Sequence, residues 1–358
     1  MRVVSYNVNG IRAAIKKGLI EWLKDYPVDV LCVQETKASI TDIDINLLTD
    51  LGYHIAWYPA QKKGYSGVAV FSKQKPSLVV HGTGHEMSDA EGRVIRVDFG
   101  DLTIINAYFP SGTSGDLRQA YKYQWLDEFF NWVEALRKER PNIIVAGDYN
   151  IAHQAIDIHD PKGNKKSSGF LPEERAWMDQ LLANNWVDSF RHMHEDAIGA
   201  YSWWSQRFPS VRLQNKGWRI DYLCTTKILS TKIKNAFILP EIKHSDHCPI
   251  VVELKKKSMF VSNISFQVDP SIEAAWLNWV KQSFIPSCLS TACFVEHKLY
   301  QLDLATDQPP TFTLQLFSQT AAQIAEFQAK HAETLLFNVT EQWGEQCFHF
   351  NTSMKIVN

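Results

Sequence analysis

The sequence contains no CxxC pair, and its six cysteines stand apart at positions 32, 224, 248, 288, 293 and 347. Such scatter offers neither the paired thiolates of a structural zinc site nor a disulfide framework, and it suits a reducing compartment. No GxGxxG or Walker sequence occurs, which argues against the common nucleotide-cofactor cradles. No run is apolar enough to cross a bilayer, and the opening MRVVSYNVNG lacks the apolar stretch of a signal peptide. The expectation is a cytoplasmic protein with no membrane partner. A strong charge of one sign is also missing, since 37 Lys plus Arg face 39 Asp plus Glu for a net −2. The average hides an asymmetry. Residues 258–358 carry four Lys, no Arg and nine acidic residues, a balance of −5 that leaves +3 for 1–257. The first part is the better candidate for meeting phosphate, through local basic clusters.

What is present is the composition of a globular protein, 45% hydrophobic and 21% charged, at a length of 358 residues that admits two domains as readily as one. Apolar runs in RVVSYNV, VDVLCVQE, GVAVFS, VIRVDF, LTIINAYF and NIIVAGDYN predict buried strands, and three more are expected near 219–225, 232–239 and 248–254. Helices are expected near 13–25, over 116–140 and through PEERAWMDQLLANN, where Pro172 suits the first turn. Strands joined sometimes directly and sometimes through helices imply an α/β sandwich of mixed sheets. The basic run ELKKKSMF marks a boundary, giving domains at 1–254 and 260–358 with a linker at 255–259. The tail reads as strand 260–268, helix 271–284, two strands near 291–304 and 311–318, helix 320–335 and strand 340–353. That βαββαβ order is ferredoxin-like.

Polar groups recur at strand ends. Asn7 and Asn9 follow VVSY, Gln34 and Glu35 follow VLCV, Asn106 and Tyr108 end LTII, Asp148 and Asn150 follow IIVAG, Asp221 follows Arg219 and Ile220, and Asp246 and His247 precede CPIVV. One such residue is ordinarily a turn former, but six coincidences point to a convergent site. Carboxylates and amides without a Cys/His cluster suit Mg²⁺ or Mn²⁺, and a His beside carboxylates suits chemistry at phosphorus.

Eight segments in order, SYNVNGIRA, LCVQETK, GYSGVAVFSK, NAYFPSG, VAGDYNIAH, DPKGNKKSSGF, GWRIDY and SDHCPI, cover 1–257 and resemble the motifs of the exodeoxyribonuclease III family of apurinic/apyrimidinic endonucleases. The resemblance implies a four-layer α/β sandwich and a Mg²⁺-dependent hydrolase. Its expected action is cleavage 5′ to abasic sites in duplex DNA, with 3′-phosphodiesterase, 3′-phosphatase and 3′→5′ exonuclease activity on blocked 3′ ends. It implies metal ligation by Glu35 with Asn7 and Asp246 near the ion. Asp148 is expected to align or deprotonate the attacking water, with Asn150 holding Asp148 and the phosphate. Tyr108 and His247 are expected to contact the scissile phosphate, Asp221 to hold the imidazole. Whether Asp148 or His247 is the base stays open, as does the number of metal ions.

The same resemblance sets Arg12, Lys17, Lys37 and Tyr65 along the duplex backbone, Asn164 at the 5′ phosphate of the abasic site, and Trp203, Trp218 and Ile220 around a flipped-out sugar. His244 has no role in it and reads as a solvated loop residue. Position 9 is Asn where some members carry Asp, and 205–217 departs from the family pattern. The tail resembles a small uncharacterised ferredoxin-like family, which admits a homodimer or a protein partner; Trp276 and Trp279 should pack on its own sheet. Two other readings stand beside the nuclease: a phosphoesterase of the same superfamily acting on a small phosphorylated molecule, and an inactive DNA-binding module.

Overall fold

The computed structural model describes residues 1–206, 210–255, 260–303 and 308–355, with the side chains of 352–355 left aside. The chain divides into two compact units, Met1–Lys255 and Lys256–Asn358; most of the expected linker lies outside the described residues. No helix is long and apolar enough to cross a membrane among those residues.

The first unit contains β1 (Arg2–Asn7), β2 (Val30–Gln34), β3 (His54–Tyr58), β4 (Val68–Ser72), β5 (Leu78–His81) and β6 (Val94–Phe99). It continues with β7 (Leu102–Tyr108), β8 (Asn142–Asp148), β9 (Trp186–Asp188), β10 (Asp221–Thr226), β11 (Ile233–Ile238) and β12 (Ile250–Leu254). They form two six-stranded mixed sheets, in the orders β11-β12-β1-β2-β4-β3 and β5-β6-β7-β8-β10-β9. Alternation along each strand decides the layers. Val3, Val30, Val70, Ile104, Ile144 and Val252 fill the space between the sheets. Their neighbours Val4, Leu31, Ala69 and Val251 face the outer layer that holds the helices Ile11–Lys16 and Leu19–Asp25. On the other side Ile105, Val145 and Cys224 pack against Trp125, Phe129 and Val133 of the helix Asp116–Glu139 and Trp177 of the helix Pro172–Ala183.

The helix expected near 13–25 is two, broken at Gly18, whose φ of +100° is left-handed backbone. The long helix starts from Gly115, with Asp116 in its first turn rather than at its cap.

Polar links brace this frame from inside. Gln34 donates to the Asn106 side chain at 2.6 Å, and Asn106 donates to the Val33 and Ala69 carbonyls. These two residues therefore tie one sheet to the other instead of facing solvent. Asp157, with no exposed side-chain surface, accepts from Arg219 at 2.8 Å and Arg191 at 2.6 Å. Burial would raise its carboxyl, but the two guanidiniums prevail and hold it down at about 2. A depressed folded-state pKa gives stability that is present above pH 4 and lost as pH falls through 2, here about 2 kcal/mol. Urea unfolding should therefore show wild type and Asp157→Asn separated by at least about 2 kcal/mol at pH 7, converging as pH falls from 4 to 2. A gap independent of pH would contradict the ion pairing.

The second unit is a four-stranded antiparallel sheet of β13 (Phe260–Val268), β14 (Glu296–Gln301), β15 (Thr311–Ser318) and β16 (Cys347–Lys355), in the order β14-β15-β13-β16. Trp276 is fully buried against Phe266 and Phe312, while Trp279 packs on Phe284 and Trp343. The first helical segment widens to a π turn over Val280–Phe284 before Pro286, which has no N–H to continue the ladder. The last helical segment continues to Trp343, so the strand expected from 340 begins only at Cys347.

Candidate active site

Strand register gathers the polar strand ends. In one sheet Tyr108, Asp148 and Asp221 lie side by side across β7, β8 and β10; in the other Asn7 pairs with Gln34, the residue before Glu35. β7 and β8 run parallel and β10 runs against them, so two strand ends and one strand start meet at one edge. Gly147 in VAGDYN is required by the close neighbouring strand, because a Cβ there would overlap the Ala107 carbonyl. The turns after these strands are tight: Asn9, Glu35, Lys37, Ser66 and Asn150 all have φ between 46° and 52°. Each such residue costs of order 1 kcal/mol, and clustered strain of this kind marks sites where direction matters more than comfort.

The centre is Asp148. Its Oδ2 accepts from Asn7 Nδ2 at 2.9 Å and its Oδ1 from the Asn150 backbone N–H at 2.9 Å, with the Asn150 side-chain amide at 3.3 Å. Burial drives its carboxyl up to about 7, opposed by the His247 charge and assisted by Asp221 and Glu35. His247 sits between two carboxylates, Nδ1 at 2.9 Å from Asp221 Oδ2 and Nε2 at 3.8 Å from Asp148 Oδ2. Burial alone would discharge the ring, but Asp221 and Asp148 together raise it to about 10. Ser202 locks Asp221 from behind, donating its Oγ–H to Oδ2 at 2.6 Å while accepting the Ile220 and Asp221 N–H groups.

Asn7 also donates to Glu35 Oε1 at 2.8 Å, and Lys37 Nζ lies 2.7 Å from Glu35 Oε2. Burial favours the neutral acid, yet Lys37 and Asn7 win and keep Glu35 below the ordinary carboxylate range. Asp246 accepts from Asn9 Nδ2 at 2.9 Å and Trp203 Nε1 at 3.1 Å. Burial is again outweighed, by His247 and these donors, so its carboxyl is held low. Ligand atoms of Glu35, Asp148 and His247 lie within 4.8 Å of one another. Glu35, Asp148 and Asp246 with the amides of Asn7 and Asn150 offer carboxylate and amide oxygens, a donor set fitted to a hard divalent cation.

A cleft of about 680 Å³ is lined by Glu35, Tyr108, Asp148, Asn150, Asp246 and His247 and by Trp203, Trp218 and Ile220, with the Trp203 ring 6.4 Å from that of His247. The Trp203 and Trp218 rings meet edge to face at 6.0 Å and pack over Ile158, Phe170 and Ile220. A separate groove of about 360 Å³ is lined by Arg12, Lys37 and Tyr65 together with Lys62 and Lys63. Lys17 is exposed and lines neither, and Lys37 turns its ammonium inward to Glu35 and Asn9.

Asn164 is engaged within its own loop, donating to the His159 and Asp160 carbonyls and accepting from Ser167. The neighbouring Lys166, Ser167 and Ser168 line the cleft instead. His244 departs from the solvated reading, since its half-buried ring packs against Tyr6 and Trp22 at 6.1 and 6.2 Å. In 205–217, residues 207–209 lie outside the described set and Ser210–Leu213 form a short helix.

Several supporting residues carry no motif. Lys122 and Glu174 form an ion pair at 2.6 Å with no exposed side-chain surface; Lys122 also donates to the Asn150 carbonyl, and Glu174 accepts from the Gly169 and Leu171 N–H groups. Arg93 lies over the Tyr108 ring. Each is one charge in an unremarkable stretch, separated from its partners by fifteen to fifty-odd residues.

Comparison with known proteins agrees with this geometry. Residues 4–247 match the endonuclease/exonuclease/phosphatase family and 259–357 match a domain of unknown function, DUF4286. An exodeoxyribonuclease of Bacillus subtilis is 42% identical over 251 residues, 70% of this chain and 98% of the relative. The DNA repair nuclease APEX1 of Danio rerio is 38% identical over 256 residues, 71% of this chain and 82% of the relative. The structure of an AP endonuclease from Archaeoglobus fulgidus superposes with a TM-score of 0.67 at 28% identity, covering 72% of this chain and all of the other. The chain thus belongs, through its first unit, to the endonuclease/exonuclease/phosphatase family of hydrolases, in the branch of the exodeoxyribonuclease III and AP endonuclease enzymes.

Proposed function

We propose that the first unit is a Mg²⁺-dependent DNA repair nuclease that hydrolyses the phosphodiester 5′ to abasic sites in duplex DNA and also clears blocked 3′ ends by 3′-phosphodiesterase, 3′-phosphatase and 3′→5′ exonuclease action. One observation carries the reading: a carboxylate and imidazole centre shares one cleft with the apolar side chains of Trp203, Trp218 and Ile220. A phosphate at the centre would place the adjoining abasic sugar against those rings.

The residues take distinct parts. Glu35, with Asn7 and Asp246, would hold the cation. A divalent cation held by these residues would supply positive charge to offset the negative charge that builds on the phosphoryl oxygens. Asp148 accepts the proton of the attacking water, at a pKa suited to neutral pH. Wedged between Asp221 and Asp148, whose charges favour the protonated ring, His247 would serve as a charged donor to the phosphate, which supports Asp148 as the base. Tyr108, beside Glu35 and Asp148, would give a second donor to the phosphate. The groove of Arg12, Lys37, Lys62, Lys63 and Tyr65 receives the duplex backbone. Residues 260–355 are given no part in the reaction.

The test compares three substrates at equal concentration with Mg²⁺: a duplex bearing one tetrahydrofuran abasic analogue, the undamaged duplex, and an inositol phosphate. The expected kcat/KM favours the abasic duplex by roughly a hundredfold or more over both. Preference for the inositol phosphate would replace this reading with that of a small-molecule phosphoesterase.

A further inference from the structure

Tyr108 stands at the end of β7 with its phenol among carboxylates, yet its ring and main chain are both held by a single buried residue. Arg93 places its guanidinium 4.8 Å from the centre of the Tyr108 ring and donates from Nη1 to the Tyr108 carbonyl at 2.8 Å, while the Tyr108 N–H donates to the Arg93 carbonyl at 2.8 Å. The Arg93 side chain is only 1% exposed. A buried charge of that kind needs a counter-ion, and Glu91 supplies it, accepting from Arg93 Nε at 2.5 Å.

Glu91 is itself shared. Both its oxygens accept from Arg118 at 2.8 Å, so the first turns of the helix Asp116–Glu139 close the assembly. The phenol of Tyr65 accepts from Arg93 at 3.2 Å and Arg118 at 2.9 Å. The cluster therefore reaches from Tyr108 in the cleft to Tyr65 in the basic groove. Partly buried ion-paired groups contribute little net stability compared with apolar side chains of equal size. Their fixed, fork-shaped hydrogen bonding instead fixes direction.

We propose that Arg93, oriented by Glu91 and Arg118, is a positioning residue for the reaction: it sets the Tyr108 phenol toward the scissile phosphate and couples that placement to Tyr65 on the duplex-binding groove. This deepens the nuclease reading and rests on it. A cation over one face of the ring resists rotation at the side chain, and the paired main-chain bonds between Arg93 and Tyr108 resist movement of the strand end. Loss of Glu91 leaves two guanidiniums competing without an anion, and Arg93 then turns from the ring.

The test is a double-mutant cycle of Glu91→Gln with Tyr108→Phe, with thermal melts as a folding control and Arg93→Lys as a second entry to the same cycle. Glu91→Gln is expected to lower kcat about tenfold with KM within about twofold, and in the Tyr108→Phe background its effect should shrink below about twofold. Equal losses of kcat in both backgrounds, or a change confined to KM, would overturn the proposal. The crystal structure of Glu91→Gln supplies a readout free of activity: a displaced Tyr108 ring is expected, and a ring in its original place overturns the inference. Wild type that folds but cleaves no DNA overturns the nuclease reading separately, with the crystallographic arm still judging the network.

Discussion

Asp148→Asn should lower single-turnover cleavage of an abasic duplex by roughly 10²–10⁴-fold while DNA affinity stays within about threefold. The substitution keeps the shape of the side chain but removes its capacity to take a proton. It also confuses the hydrogen bonds, since Asp148 accepts from Asn7 Nδ2 and from the Asn150 N–H, and an amide in its place would set one N–H₂ group against another. In the proposed reading binding would draw on different residues, the basic groove and the apolar side chains of Trp203 and Trp218. One fewer negative charge beside phosphate favours binding if anything. Rapid-quench kinetics gives the rate and fluorescence anisotropy the affinity; turnover close to wild type would remove Asp148 from the role of base.

Lys122→Met should destabilise the protein by roughly 3–5 kcal/mol, and Glu174→Gln added to it should recover a large part of that loss. Neither side chain of the pair has exposed surface, so removing one partner strands the other charge. Glu174 would keep its bonds from the Gly169 and Leu171 N–H groups but lose the cation that compensates its charge. The Asn150 carbonyl would lose its donor as well, linking the defect to the cleft. Urea unfolding of the two single variants and the double variant measures the cycle; additive losses would show that Lys122 and Glu174 act independently.

How much of this could be read from residues alone depended on burial and on local pattern. β1, β2, β4, β7 and β8 are nearly all buried, and an uninterrupted apolar run is the mark of a strand covered on both faces. The strands with no advance signal are β3, β5 and β9, short or half-exposed pieces at or beside sheet edges. The polar cluster was legible because each member follows or precedes a strong strand, and register aligns Tyr108 with Asp148 and Asp221.

What pattern could not show is which polar residues turn inward. Asn106 and Asp148 both end or adjoin apolar runs, but Asn106 bridges the two sheets and Asp148 faces the cleft. Lys122 in AYKYQW resembles a solvated lysine on an amphipathic helix until Glu174, 52 residues later, is seen beside it. The family resemblance sets Asn164 at the 5′ phosphate, and pattern alone does not show that its amide also donates to the His159 and Asp160 carbonyls of its own loop. His244 stands next to a catalytic motif, yet its surroundings are two aromatic rings.

The measurement that bears most directly on the central claim is the mapping of incision in a 5′-labelled duplex containing one tetrahydrofuran residue, with Mg²⁺, with EDTA, and with Mg²⁺ restored in excess. The proposed function predicts one cut immediately 5′ to the analogue that leaves a 3′-hydroxyl, disappears in EDTA and returns with the metal. A folded protein that leaves the strand intact with Mg²⁺, or cuts it equally well in EDTA, would contradict the account.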